Sequence, residues 1–458
     1  MNTNKPLKRS ILLAFALPGV MQGFTHAPEA QVQGIYAAHA GISLVALASV
    51  LLLTRLFDGL TYPLIGYLTD RTFRNTGSRK PWILAGTVVT VIGLWFLYRP
   101  PANVTVTYYG IWMAVTYVGW KLTEIPYIAW SFGLSRDYVE RARIQMWRGI
   151  AMLTGGLVFF LVPFITKSLG ITPTTELNFQ TLAFTALVIV VCVPAMNLYA
   201  LATVPDGEAA PPQIKKPRQS LRELVMMIAR NGPLMRLLLA VFPASMVASM
   251  SASTSYLFVT SYLGLGKHYA AIMLIVMPFS LLSLPFWGWM CLRFERHRVA
   301  AIALVITACA SAGMGFIPVG ETGLIPMMIL NPISIFCITA LVVAIPAMIG
   351  DASDHGRLQS GEDQSGIYSA VYSFMIKSIH GIGAAAGLAL AGWIGFDATA
   401  THQTPEGAFA IRLVTAWLPL FGAVISAFLI WTFPITRAKQ AETQAALKAL
   451  DEKAASAV

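Results

Sequence analysis

Long apolar stretches separated by short polar segments run through almost the whole chain of 458 residues. A helix needs about 20 apolar residues to cross the hydrocarbon core of a bilayer, and twelve stretches reach that length. They predict an all-α membrane protein with twelve transmembrane helices. The predicted spans are 10–39 (bent), 41–69, 81–99, 104–133, 144–168, 179–204, 234–263, 268–293, 298–318, 322–350, 365–396 and 408–434.

One polar segment is much longer than the others and separates two sets of six helices. It is rich in Pro and charged residues, a composition typical of a linker. The sequence therefore predicts four regions. They are an N-terminal six-helix half over 1–204, a cytoplasmic linker over 205–233, a C-terminal six-helix half over 234–434 and a cytoplasmic tail over 435–458.

The two sets of helices also resemble each other in sequence. The pattern PxxGxxxxR occurs from Pro63 and again from Pro285, 222 positions later. An Ile-Pro pair at Pro126 recurs at Pro346, 220 positions later. Duplicated six-helix halves are the plan of the major facilitator fold, in which the substrate site lies between the halves near the middle of the bilayer.

Composition and charge exclude several other classes. The chain is 56% hydrophobic and only 12% charged, which argues against a soluble domain. Its net charge of +11 does not indicate nucleic acid, because 24 of the 32 basic residues fall on one side of the predicted helices. This positive-inside pattern predicts a multi-pass protein of a bacterial-type inner membrane, with both termini cytoplasmic. The lipid bilayer is then its main partner, and we expect a monomer.

Few ionisable residues lie inside the predicted spans. Arg55 and Asp58 are three apart on the second helix, Lys121 and Glu124 are three apart on the fourth, and Arg148 and Lys377 lie on the fifth and eleventh. Charges at bilayer depth usually face a cavity and pair with one another. The pKa of such a carboxylate responds to its partner, which suits cation or proton coupling. The alternative is that these pairs only fix helix packing.

Three aromatic residues lie around Glu124 on the fourth helix. Trp120, Tyr127 and Trp130 could stack on a sugar ring, or they could pack helices together. The four cysteines all fall in apolar spans at spacings that indicate neither disulfides nor a metal site. We therefore expect no metal and no cofactor. The acids and histidines form no compact catalytic arrangement, so we do not expect an enzyme.

Several motifs, in order along the chain, resemble those of the glycoside-pentoside-hexuronide:cation symporters. The motifs are "RLFDGLTYPLIGYLTDRTFRNTGSRKPWIL" from Arg55, "EIPYIAW" from Glu124, "RGIAMLTGG" from Arg148 and "IPAMIGDASDHGRLQSGEDQSGIYSAVYSFMIKSIHGIG" from Ile345. The resemblance implies a cation-coupled permease with a central glycoside site. It implies cation coupling by Asp58, Glu124 and Lys377.

The same resemblance implies roles for two further groups of residues. Glu124 and Arg148 would bind the sugar, and Lys121, Trp120, Tyr127 and Trp130 are the neighbouring candidates for substrate binding. A cytoplasmic gate would be formed by Asp70, Arg71, Arg79 and Lys80.

The chain also departs from the family pattern. The second acid of the second helix is replaced by Tyr62, and residues 10–28 contain no Asp or Glu. Sodium prefers several hard, negatively charged oxygen ligands, so the loss of a carboxylate favours proton coupling over sodium coupling, or uncoupled movement.

A charge count gives an expectation for the substrate. Within the spans, four basic side chains against two acids leave a net charge of +2, which suits an anionic solute such as a uronide. We expect a secondary transporter of a glycoside, uronide or related solute by proton symport. The alternatives are an uncoupled facilitator or exporter of the same fold, and a non-transporting membrane receptor.

Overall fold

The computed structural model describes residues 7–135, 137–207, 228, 231–361 and 364–456, and at 56, 58–60, 138, 359–360, 451 and 453–456 it describes the backbone alone. All regular structure in these ranges is helical. The helices of the N-terminal part are α1 Arg9–His26, α2 Glu29–Ala40, α3 Leu44–Thr76, α4 Lys80–Tyr98, α5 Val106–Gly133, α6 Tyr138–Ser168 and α7 Phe179–Thr203. Each predicted span of this part has its helix, and the C-terminal end of α3 lies beyond the predicted end of its span.

The C-terminal part also consists of helices. They are α8 Gly232–Leu257, α9 Tyr269–Arg293, α10 Arg296–Met314, α11 Leu324–Ile338, α12 Ala340–Ser360, α13 Ser365–Ile394, α14 Pro405–Arg412, α15 Leu418–Trp431 and α16 Arg437–Ser456. A π-helical turn extends α8, and another joins α14 to α15. Within the described ranges, ten helical stretches are long and apolar enough to cross a membrane. With the charged helices α3 and α5 they give twelve spans, and the predicted fold class is confirmed.

The chain forms two compact units. Unit 1 consists of Met1–Lys215, Ser255–Leu274 and Asp397–Gln403, and unit 2 consists of Lys216–Thr254, Ile275–Phe396 and Thr404–Val458. Hydrogen bonds explain why Ser255–Leu274 belongs to unit 1. The Tyr256 hydroxyl donates to the carbonyl of Leu177 at 2.5 Å, and the Gln31 amide lies 3.1 Å from the Tyr269 hydroxyl. The exact boundaries of the predicted halves stay a prediction.

The bend predicted in the first span lies between α1 and α2. The break comes at Pro28, which has no backbone N–H and therefore cannot continue the hydrogen-bond ladder of α1. The chain restarts at once, and the N–H groups of Gln31 and Val32 donate to the carbonyl of Pro28. Glu29 thus lies in the first turn of α2, where the helix dipole stabilises a negative charge.

Helices α1 and α6 approach each other at glycines. A Cβ atom on Gly23 would lie 1.7 Å from the carbonyl oxygen of Met152, and one on Gly155 would lie 1.9 Å from that of Val20. Both distances are far below any real contact. Small residues commonly allow such close approach in membranes, and here they fix α6, with Arg148, against α1.

Alanine substitution should expose this dependence. We expect Gly155→Ala to destabilise the protein by about 2–3 kcal/mol, because the added methyl group forces two backbones apart. Gly149→Ala, on the same helix with nothing within 4 Å of the added Cβ, should be neutral or stabilising, since alanine favours the helix. Thermal unfolding in detergent measures both variants. Equal melting temperatures would show that α6 can move away from α1 without loss.

The C-terminal helix α16 is docked on unit 2. The backbone N–H of Arg437 donates to Glu295 Oε2 at 2.9 Å, and Gln440 Nε2 donates to Asp354 Oδ2 at 2.6 Å. Leu447 on the same helix is buried. The segment predicted as a tail therefore contains a helix that is held against the ends of the neighbouring spans.

Candidate functional site

Helix α5 carries the densest group of predicted site residues, and close packing against α4 fixes its position. A Cβ on Gly119 would lie 2.6 Å from the Thr90 hydroxyl oxygen, and one on Gly86 would lie 2.4 Å from that of Thr123. These interlocked Gly and Thr residues hold two helices at a short distance. They position Trp120, Lys121 and Glu124, all of which belong to unit 1.

An ion pair within unit 1 joins the first two spans. Arg55 Nη2 lies 2.5 Å from Glu29 Oε1, and the Tyr117 hydroxyl donates to the same oxygen at 3.0 Å. The Arg55 guanidinium also lies 4.7 Å from the centre of the Tyr117 ring. Both charged side chains are about 70% buried. Arg55 therefore has a partner from α2.

This pair changes the charge count made from the sequence. That count included only Asp58 and Glu124 as acids and left Glu29 out. With Glu29 included, the spans contain four basic side chains and three acids, and their net charge falls from +2 to +1. Pro28 is the sequence signal that could have indicated Glu29. A proline breaks the helix, so the acid that follows it lies at the start of a new helix, where it meets Arg55.

A second residue that sequence reasoning missed is His26, at the end of α1. Its ring stacks on Trp120 with 3.9 Å between the ring centres, and Trp120 also contacts the edge of Tyr117. The charges of Glu29 and Glu124 both act on the imidazole. His26 and Trp120 therefore connect the Glu29–Arg55 pair with the acid of α5.

Lys121 is buried, and only 6% of its surface is exposed. Its ammonium nitrogen lies 5.8 Å from the centre of the Tyr62 ring. Tyr62 occupies the position at which the resemblance predicts a second acid. The Lys121 ammonium group therefore lies beside the position where the family has its second acid. Its contact with the face of the Tyr62 ring is a cation–π interaction.

Tyr127 and Trp130 make the contacts of packing residues. The Tyr127 hydroxyl donates to the carbonyl of Phe15 at 2.7 Å, and its ring stacks on the Phe15 ring. Trp130 Nε1 donates to the carbonyl of Pro205 at 2.9 Å. Both residues are at most 2% exposed. Direct binding of substrate by these two rings stays a prediction.

The remaining predicted site residues lie in different places. Arg148 is half-buried on α6, close enough for its charge to act on Tyr127. Lys377 lies on α13 in unit 2 with its side chain exposed. The side chain of Asp58 lies outside the described residues, although its backbone is part of α3. Cation coupling by Asp58, Glu124 and Lys377 stays a prediction.

The predicted gate residues surround the turn between α3 and α4. Arg79 Nη2 lies 3.4 Å from Asp70 Oδ1, and Lys80 Nζ lies 3.5 Å from Asp206 Oδ2. Arg71 is exposed. The turn is therefore tied to the start of the linker within unit 1, and its role as a gate stays a prediction.

Comparison with known families identifies the kind of protein. The family described as MFS/sugar transport protein matches residues 15–437. The glucuronide carrier protein homolog of Escherichia coli (strain K12) is 24% identical over 449 residues, covering 95% of this chain and 94% of that protein. The inner membrane symporter YicJ of the same organism is 25% identical over 407 residues, with 85% and 83% covered.

Solved structures show the same fold. A bacterial homologue of the human lysosomal transporter Spinster, in an inward-facing and unoccupied conformation, gives a TM-score of 0.65 at 14% identity. The match covers 92% of this chain and 96% of the other. This likeness confirms the architecture of twelve membrane helices.

Proposed function

We propose that this chain, which belongs to the MFS/sugar transport protein family, moves an anionic glycoside of the uronide class across a bacterial-type inner membrane together with protons. It is a multi-pass membrane transporter, not an enzyme and not a non-transporting receptor. Beyond this class of protein, we propose the substrate class, the coupling ion, the cytoplasmic position of both termini and the monomeric state. The observation that carries it is the charged cluster of α5 and its neighbours in unit 1.

The charge balance supports an anionic substrate. The spans keep a net charge of +1 after Glu29 is included, so the basic side chains outnumber the acids by one and can bind an anion. Arg148 suits this role, because a guanidinium binds a carboxylate through two parallel hydrogen bonds. The name of the glucuronide carrier homologue points to the same class of substrate.

Lys121 supports protons over sodium as the coupling ion. A sodium site needs several oxygen ligands, and a fixed positive charge nearby repels the ion. Here the position of one expected acid holds Tyr62, and the Lys121 ammonium lies 5.8 Å from its ring centre. A proton needs only one titratable group, and Glu124 supplies it. Asp58 and Lys377 complete the proposed coupling group.

Uptake into proteoliposomes tests this function. We expect accumulation of methyl glucuronide under an imposed proton gradient, and little stimulation by an imposed sodium gradient. Methyl glucoside is the matched control, because it differs from the glucuronide only in having a hydroxymethyl group in place of the carboxylate. It should compete weakly, since Arg148 then has no carboxylate to bind.

Three outcomes would contradict parts of this proposal. Full competition by the glucoside would overturn the uronide class. Sodium-driven accumulation would mean that Tyr62 and Lys121 do not prevent a cation site. Exchange of labelled for unlabelled solute without accumulation under either gradient would identify an uncoupled facilitator.

A further inference from the structure

A small cavity in unit 1 is lined by residues of α1, α4, α5 and α7. Its volume is about 20 Å³. The polar residues that line it include Gln22, His26, Thr90, Trp120 and Asn197. None of these residues was predicted to act together, and only Trp120 belongs to the proposed substrate site.

Each of these five side chains has a buried polar atom with no hydrogen-bond partner in the described part of the protein. The atoms are Gln22 Nε2, His26 Nε2, Thr90 Oγ1, Trp120 Nε1 and Asn197 Oδ1. Buried polar atoms without partners are rare in native proteins. Five of them around one cavity therefore indicate that something polar occupies it.

Size and chemistry select the occupant. A cavity needs about 10–15 Å³ to hold the centre of one water molecule, and a buried water makes about three hydrogen bonds. The indole N–H of Trp120 is a donor only, and a donor pointing into the cavity repels a metal cation. A water molecule can accept from Trp120 and Gln22 while it donates to the oxygen of Asn197.

We propose that this cavity holds one buried water molecule, and that the water allows His26 to bind a proton during the transport cycle. The inference rests on the proposed proton coupling and adds a proton-binding residue to it. A water molecule can donate to Nε2 of a neutral imidazole. When Nε2 takes up one proton, the same water can turn and accept a hydrogen bond from it.

Burial and the neighbouring charges act on His26 in opposite directions. Burial is the largest influence and disfavours the imidazolium cation, as does Arg55 on α3, whereas Glu29 on α2 and Glu124 on α5 favour it. Because Arg55 is paired with Glu29, a change in that pair or in the charge of Glu124 changes the preference of His26 for a proton. His26 is thereby linked to Glu29 and Glu124.

The water is tested in the unmodified protein by an experimental density map that resolves ordered waters. We expect one peak within hydrogen-bond distance of Trp120 Nε1 and of at least one other atom of the cavity. A cavity without density in such a map would overturn the proposal, because His26 Nε2 would then face empty space.

The proton-binding role is tested by His26→Gln in proteoliposomes. This change keeps a polar side chain but removes its ability to titrate. With a gradient of one pH unit, one proton carried per solute supports about a tenfold accumulation in the unmodified protein. We expect His26→Gln to lose most of this accumulation. Counterflow exchange, which needs binding and alternating access but no net proton movement, should be retained and also reports correct folding.

His402→Gln is the matched control, because His402 is an exposed loop histidine. Normal accumulation in His26→Gln would overturn the role of His26. Loss of both accumulation and counterflow would assign His26 to binding or folding, which also contradicts the proposal. If the unmodified protein shows no proton-driven uptake, the proposed function fails and the His26 role fails with it, while the density map still decides whether the water is present.

Discussion

Glu29→Gln should destabilise the protein strongly, although the residue lies outside every motif that carries the family resemblance. The substitution leaves the Arg55 guanidinium without its carboxylate, at a place where each partner is about 70% buried. Removing one member of a buried ion pair typically costs about 3–5 kcal/mol. We expect about 3 kcal/mol here, because both side chains keep some exposure. Thermal unfolding of purified protein measures the loss.

Two further variants make this prediction specific. Asp70→Asn breaks the pair with Arg79, in which Asp70 is 62% exposed, and should cost less than about 1 kcal/mol, as exposed pairs do. The double change Glu29→Gln with Arg55→Gln should recover much of the loss, since no uncompensated charge remains. Equal, small effects of Glu29→Gln and Asp70→Asn would show that Arg55 finds another partner.

The architecture could be predicted because the bilayer imposes a simple length rule on apolar segments. Even the bend in the first span was predicted, and its cause is one proline, Pro28. The extra length of α3 at its C-terminal end could not be predicted in the same way. Beyond the bilayer a helix such as α3 continues to Thr76, ending only where Gly77 adopts a left-handed conformation that suits glycine.

The candidate site could be predicted only in part, because sequence spacing relates residues within one helix and not between helices. Lys121 and Glu124 are neighbours by spacing, and both lie in unit 1 as a result. Arg55 was expected to share a face with Asp58, whose side chain lies outside the described residues, and the partner that the structure describes for Arg55 is Glu29, 26 positions earlier. This pairing depends on how α2 packs against α3. The periodicity of a single helix does not contain that information.

The aromatic residues show the same limit. Trp120, Tyr127 and Trp130 look equivalent in the sequence, since all three lie close to Glu124 on one helix. In the structure, Trp120 stacks on His26, whereas Tyr127 and Trp130 donate to backbone carbonyls from α1 and from the start of the linker. What distinguishes them is which neighbouring segment each ring meets, and this depends on how the helices pack rather than on spacing along α5.

Glu124→Gln should abolish proton-driven accumulation while the protein stays folded. Glutamine keeps the shape of the side chain but cannot bind or release a proton near neutral pH, so the coupling step is lost. Under a gradient of one pH unit, the unmodified protein should accumulate the uronide about tenfold for each proton carried, whereas the variant should only equilibrate it. Fluorimetry of the melting transition checks that the variant is folded.

The choice of control determines what the result of Glu124→Gln means. Glu406→Gln removes the charge of an exposed glutamate at the start of α14 and should accumulate solute normally, so a general effect of lost negative charge is excluded. Counterflow separates coupling from binding: if Glu124 also contacts the sugar, as the resemblance implies, counterflow should slow without stopping, because an amide still makes hydrogen bonds. Full accumulation in Glu124→Gln would remove this residue from the coupling mechanism and leave Glu29, Asp58 and His26 as candidates in unit 1 to carry the proton.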